Sequence, residues 1–382
     1  MRRSIPCVAA VGAAAVAVAV LAIDSPASGG INGCVRQRID PHLGKLSSLV
    51  AVDGTAPDDV WAVGARGAWS AERPVAEHYD GHHWRQVPVA APKDGGLLDV
   101  EAISTDNVWA SASSERSGAG KPLMLHWNGN RWRRVALPKR VYHVGQLAAG
   151  GKDVWVEGMA TAADGRGFGV TVRWNGRRWQ TFKLGGEPDD IAFSSPREGW
   201  VVGSAPKQGD VDVGVSYVAR WSGRSWKRVR VPSAVLGQTG RRGGEGLSGV
   251  TTAGAGNVWA VGWSASTGFT GDYTLNWNGK RWRLERDPGG APFQAASMNN
   301  WSNEISIAAG KQGDVWLVAG EDAAARNNAG TWSPLPDSKS DVELNAVSPV
   351  GRGEAWAVGD RGAAASLGDA YTAVIEHLDC RS

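Results

Sequence analysis

The chain has 382 residues, of which 42% are hydrophobic and 21% charged, and its formal net charge of +3 is too small to create the field a nucleic-acid partner would need. That length would ordinarily suggest two or three domains, but an internal period runs through it and points instead to one large repeat domain with a sizeable core. Gly (52) and Trp (20) are abundant while Tyr and Phe number five each, so one aromatic type has been copied along with the repeat.

In chain order, Arg2 and Arg3 precede an apolar run from Val8 to Ile23, followed by Asp24 and the small residues Ser25-Pro26-Ala27. This is the order of a secretory signal peptide, and the run is short for a membrane span. The expectation is a signal peptide over 1–27 and an extracellular, secreted protein starting near Ser28. It would have no membrane span after cleavage; a retained anchor is the alternative. Cys7 would leave with that segment. Cys34 and Cys380 remain, near opposite ends of the chain, and an oxidising compartment makes a disulfide between them the default expectation.

From residue 48 onward a Trp follows an Asx or Glx by two positions in seven places: Asp59 with Trp61, Asn107 with Trp109, Asp153 with Trp155, Glu198 with Trp200, Asn257 with Trp259, Asp314 with Trp316 and Glu354 with Trp356. In six copies an apolar residue lies nine positions before the Trp (Val52, Val100, Ile191, Val250, Ile307 and Val347), and in the third copy Leu147 lies eight before. Each copy reads as four short strands, here a to d. Strand a holds the apolar residue just named. A turn follows, where the Asx side chain can bond nearby backbone. Strand b, as in Val258-Trp259-Ala260-Val261-Gly262, is apolar on both faces. Strand c ends at Asp80-Gly81, Asn128-Gly129, Asn175-Gly176, Ser222-Gly223 or Asn278-Gly279, the residues that tight hairpins require. Strand d then carries Trp84, Trp132, Trp179, Trp226 or Trp282, with apolar residues at odd spacing on its other face. A four-stranded sheet with two apolar faces must bury both, and packing copies around an axis does so.

The sixth copy is trimmed at strand c, and the seventh stops at Ile375-Glu376-His377-Leu378-Asp379-Cys380 without a strand d. Cys34-Val35-Arg36-Gln37 resembles Trp84-Arg85-Gln86, so the segment 28–47 is expected to supply the outer strand of the last blade. The fold class is therefore all-β: a seven-bladed β-propeller of four-stranded antiparallel blades over 48–382, its ring closed by an N-terminal strand. A Cys34–Cys380 bond would then stand where other blades have their turn. A lipid on Cys34 is the competing reading, but Ile31-Asn32-Gly33 suits lipid attachment poorly and Cys380 would be orphaned.

The unit resembles the Asp-box (BNR-like) propeller repeats of sialidases, sortilin-like receptors and photosystem II assembly factor-like proteins, through Val258-Trp259-Ala260-Val261-Gly262 and Trp277-Asn278-Gly279-Lys280-Arg281-Trp282. The spacing from turn to Trp departs from the box by one residue, and its opening Ser or Thr is absent. In those families the box is a peripheral turn, so the resemblance implies fold and not chemistry.

The residues that break the repeat are the candidates for function. Trp69, Trp263, Phe293 and Trp301 are assigned to b-to-c or d-to-a connections, which emerge on one face, and Arg241, Arg242 and Asn300 lie in the long connections around the fifth blade. Aromatic, amide and Arg side chains together suit a sugar or peptide. The expected function is a monomeric, non-catalytic binding module for an extracellular glycan or protein, using the loop face of blades four to six. One alternative is a glycoside hydrolase or lyase on the same face, for which Asp210, Asp212, Glu245 and Asp272 are the convergent carboxylates to test. Another is an anionic cell-surface polymer held by the basic strands d, although Lys and Arg there also block edge pairing. His78, His126 and His377 share one strand-c position on separate blades and read as solvated; no metal site, catalytic residue or cofactor is expected.

Overall fold

The computed structural model describes residues 34–68, 71–90, 95–114, 121–207, 210–232, 244–266, 269–285, 305–321, 323–328, 331–336, 342–362 and 371–381. Five copies form separate four-stranded antiparallel sheets in the order a-b-c-d, and blade five, with Glu245–Thr252, Val258–Ser266, Phe269–Trp277 and Trp282–Glu285, typifies them. Strands a of successive blades touch all the way round, the last against the first, which makes the ring. Among the described residues there is no helix, hence none long and apolar enough to cross a membrane.

The burial pattern follows from the two-faced sheets. Seven apolar clusters are found among the described residues, one in each seam between neighbouring blades. In six seams the strand-b Trp meets aromatics from the outer strands of the next blade. Trp61 meets Trp127 and Trp132, Trp109 meets Trp174 and Trp179, and Trp155 meets Trp221 and Trp226. Trp200 meets Trp277 and Trp282, Trp259 meets Trp332, and Trp356 meets Tyr79 and Trp84. Edge-to-face geometry dominates the strand-d contacts, as ring quadrupoles favour. The repeated Trp is thus seam packing.

The Gly closing each Val-Trp-Ala-Val-Gly segment has a steric cause. In six blades strand a carries a bulge, for example between Leu49 and Ala51 and between Leu344 and Ala346. Opposite it, a Cβ on Gly64, Gly262 or Gly359 would stand 2.1, 2.1 or 1.8 Å from a strand-a carbonyl oxygen. In these three blades the bulge brings backbone onto backbone and leaves room for Gly alone, whereas blade two carries Ala112 at the equivalent position.

The last blade uses both ends of the chain. Val35–Ile39 pairs antiparallel with Thr372–Asp379, register Val35 to Asp379 and Ile39 to Ile375, and so fills the missing strand d. Cys34 and Cys380 are disulfide-bonded at the position of the hairpin turn, and both pack in the seam with Trp316. Arg36 and Arg38 both bond Glu376, whose side chain is 1% exposed. The sixth blade is irregular: its strand a is short, Ile305–Ala309, and Gly320 and Glu321 at the end of its strand b pair with Leu344 and Glu343 of blade seven. Blades six and seven therefore share one sheet. Strand c of blade six, Ala323–Asn328, is trimmed as its sequence predicts.

Candidate functional site

Strand a is the innermost of each blade, so one of its edges has no strand beside it, except where Glu343 and Leu344 of blade seven pair with blade six. Unpaired N–H and C=O groups on that edge need partners, and the neighbouring blade supplies them. The N–H of Ala102 donates to Asp53 Oδ2 (2.7 Å), that of Leu147 to Asp99 Oδ2 (2.6 Å) and that of Val250 to Asp190 Oδ2 (2.6 Å). Asn345 Nδ2 donates to the carbonyl of Leu49 (3.0 Å), and Ser348 Oγ to Asp53 Oδ1 (3.0 Å). These bonds stitch the ring along the wall of an axial cavity of about 1110 Å³. Bulge residues, among them Leu98, Gln146, Asp189, Ser248 and Asn345, line it.

The cavity is strongly acidic. Asp53, Asp99, Glu101, Glu157 and Asp190 share it, and Lys311 is the one Lys or Arg among the described residues of its lining. Each carboxyl borders the channel and is crowded by the neighbouring blades, Glu157 buried and the other four partly so, and this desolvation raises the pKa: Asp53 to about 6, Asp190 to about 7, and Asp99, Glu101 and Glu157 well above the ordinary range. Mutual repulsion adds to the effect at Asp99, Glu101 and Glu157.

The folded state therefore holds protons that the unfolded chain releases near pH 4. Stability from these groups is present in full below pH 4 and is lost as pH rises through about 6 to 7, each tenfold change in proton affinity corresponding to about 1.4 kcal/mol. Burial pushes His126 and His143 down, which acts in the opposite sense below the ordinary histidine range, but five carboxyls outweigh two imidazoles. We expect the urea midpoint to fall between about pH 4.5 and 8. An Asp99→Asn/Asp190→Asn variant should show a flatter profile; an unchanged slope would reject the assignment.

Trp263 stands at one mouth of this cavity. It is not in a connection, as its sequence position suggested, but inside strand b of blade five, paired with Gly246 on one side and Asp272 on the other. The polar residues after it continue the pairing to Ser266. Its half-buried indole lies over Gly246, close enough that a Cβ there would stand 3.1 Å from Cε2 and Nε1. Trp69, Arg241, Arg242, Phe293, Asn300 and Trp301 lie outside the described residues. Of the carboxylates weighed for catalysis, Glu245 is 6% exposed in the seam beside Tyr273, while Asp210, Asp212 and Asp272 sit on the strands of blades four and five. Among the described residues no group of three or more His, Cys, Asp or Glu is placed to hold a metal ion.

The strand-c histidines correct another expectation. They are half-buried against the strand-b Trp of their own blade: His78 and His126 stack on it with centroids 4.3 and 4.5 Å apart, and His377 meets it at a tilt, 4.6 Å away. Their Nε2 atoms meet Asp59 (2.7 Å), Asn107 (2.9 Å) and Glu354 (2.8 Å), the residues two before that Trp. Arg173 with Asp153, Arg220 with Glu198, Arg326 with Asp314 and Asn276 with Asn257 fill the same position in the other blades. The Asx or Glx thus ties strand b to strand c, beyond its expected role in the turn. The channel carboxylates were missed, although a signal existed: Asp53 and Glu101 lie eight positions before the repeated Trp, Asp99 and Asp190 ten before, flanking the apolar ninth.

No protein-family model matches the sequence, and a search of curated proteins returned no match. Solved structures do match. A structure of YCF48 bound to D1 peptide aligns with 90% of this chain and 96% of its own, at TM-score 0.53 and 15% identity. The polysaccharide lyase Uly1 aligns with 86% of this chain and 90% of its own, at TM-score 0.54 and 9% identity. The WD40 β-propeller domain of Doa1 aligns with 92% and 96%, at TM-score 0.50 and 7% identity. The fold is a seven-bladed β-propeller. At these identities the likeness to other propellers extends to architecture and no further.

Proposed function

We propose that this propeller is a secreted, monomeric, non-catalytic binding module whose ligand, an extracellular glycan or protein segment, is held on the loop face of blades four to six. The observation that carries the reading is Trp263: a half-buried indole, seated on bare glycine backbone, at the mouth of a polar axial cavity. A flat aromatic face beside carboxyl, amide and hydroxyl groups is the surface that sugar rings and peptide side chains use. Trp69, Arg241, Arg242, Phe293, Asn300 and Trp301 would complete it from the same face. The structural neighbours are compatible with the reading, one being described with a bound peptide and another as a polysaccharide lyase.

The test is a screen of the purified protein against glycan and peptide arrays, followed by titration of the best binder with Trp263→Ala and Trp263→Ala/Trp301→Ala. An affinity loss of about tenfold or more for the single variant, with an unchanged urea midpoint, is the expected result. Binding that survives the double variant would remove the loop face from consideration.

A further inference from the structure

The charge of this protein is segregated by radius. The channel carboxyls lie on the axis, whereas the outer strands of blades two to five and the turns leading into them carry exposed cations, among them Arg133, Arg178, Lys227, Arg228, Arg281 and Arg283. A net charge of +3 conceals this arrangement.

Edge protection explains some positive charge on any outer strand, since a Lys or Arg there discourages pairing with another chain. It does not explain the distribution. On the outer strands of blades seven and one the cations have carboxylate partners within the protein: Arg36 and Arg38 bond Glu376, and Arg85 meets Asp80 at 2.6 Å. On the outer strand of blade six there is no cation, and Thr331–Pro334 ends in a proline. Over blades two to five none of the six named cations has a carboxylate partner among the described residues, and the nearby Asp153 and Glu198 are already committed to Arg173 and Arg220 of strand c. The result is an arc of exposed cations without carboxylate partners among the described residues over four consecutive outer strands, Arg228 also lying over the Tyr217 ring at 5.6 Å, whereas the outer strands of blades six, seven and one carry no such cation.

We propose that this arc binds an extended acidic polysaccharide lying across the outer strands of blades two to five. Guanidinium groups are weakly hydrated and match carboxylate or sulfate oxygens two at a time, so several spaced along a rim suit a linear polyanion. Single-stranded nucleic acid fits less well, because it needs exposed aromatic faces for base stacking, and the outer-strand rings are turned into the seams, with Trp132 and Trp282 only 2% and 5% exposed. The surface is separate from the mouth at Trp263, so the two proposals stand or fall independently.

The experiment is fluorescence anisotropy of a labelled galacturonate dodecamer, with a neutral dextran of equal length and a dT20 oligonucleotide as comparison probes. Galacturonate should bind, dextran should not, and affinity should fall on the order of fiftyfold between 50 and 200 mM salt for four displaced counterions. Arg133→Glu/Arg178→Glu/Lys227→Glu/Arg283→Glu should abolish binding. Lys45→Glu/Arg73→Glu/Arg352→Glu/Arg361→Glu, which changes net charge equally on blades one and seven, should retain most of it. Equal losses in the two variants, salt-insensitive binding, or tighter binding of dT20 than of galacturonate would each overturn the proposal.

Discussion

Replacing Cys34 and Cys380 with serine should destabilise the ring by several kcal/mol, more than the loss of any one seam aromatic. The bond joins residues 346 apart in sequence, and the chain-entropy relation assigns about 5 to 6 kcal/mol to a closed loop of that size, an upper figure because the unfolded chain retains structure of its own. What remains in the variant is the five-residue pairing of Val35–Ile39 with Thr372–Asp379 and the contacts of Arg36 and Arg38 with Glu376. A short outer strand held at a chain end is a place where fraying begins. The variant should therefore lose amide-exchange protection first in 35–39 and in 372–379, and its urea midpoint should drop at unchanged pH. Reduction of the wild-type protein should reproduce both effects. Protection that stays uniform after reduction would mean the strand closes the ring without covalent help.

The second large effect is expected at Trp155. Its ring is 1% exposed and touches Phe182, Phe193, Trp221 and Trp226 at centroid distances of 4.9 to 5.9 Å, with Arg173 over its face at 5.5 Å. Trp155→Ala removes the centre of that group and leaves a cavity that rigid neighbouring sheets cannot close, at a cost of about 3 to 5 kcal/mol. Trp259→Ala is the internal comparison. Among the described residues it meets one aromatic ring, Trp332 at 5.5 Å, and on that basis should cost roughly half as much. Chemical denaturation of both variants checks the ranking. Equal losses would mean that seam stability is set by buried area alone and not by the number of rings.

The repeat was legible because a blade has a small set of physical demands that every copy must meet. The strand-b Trp, the apolar residue nine before it in six copies and the Gly turn that ends strand c in five recur along the chain, and together they determine sheet order, blade number and the missing outer strand. Trp263 was misplaced because Ser264, Ala265 and Ser266 carry none of the apolar alternation of a strand, whereas pairing to Gly246 and Asp272 on either side keeps that stretch extended. The strand-c histidines were located but assigned to solvent, since a period gives a residue's position along a strand and not what lies across it. Stacking of His78 on Trp61 is a cross-strand pair, visible only once register is known. The channel acids were overlooked for a related reason: an Asp beside an apolar core residue reads as exposed until the inner edge, with its unpaired backbone, is recognised as the surface it must satisfy.

Building the last blade from both ends of the chain also sets an order of events during synthesis. Residues 35–39 emerge from the ribosome early but have no docking site until 372–379 follow. Six blades can assemble as the chain lengthens, each new sheet covering the exposed seam of the one before. The first and last seams stay open, with Trp356 and Trp316 uncovered, until the final residues arrive. Completion is thus a single late step with a very long loop to close, and a chain stalled before residue 372 would present two aromatic faces to its neighbours.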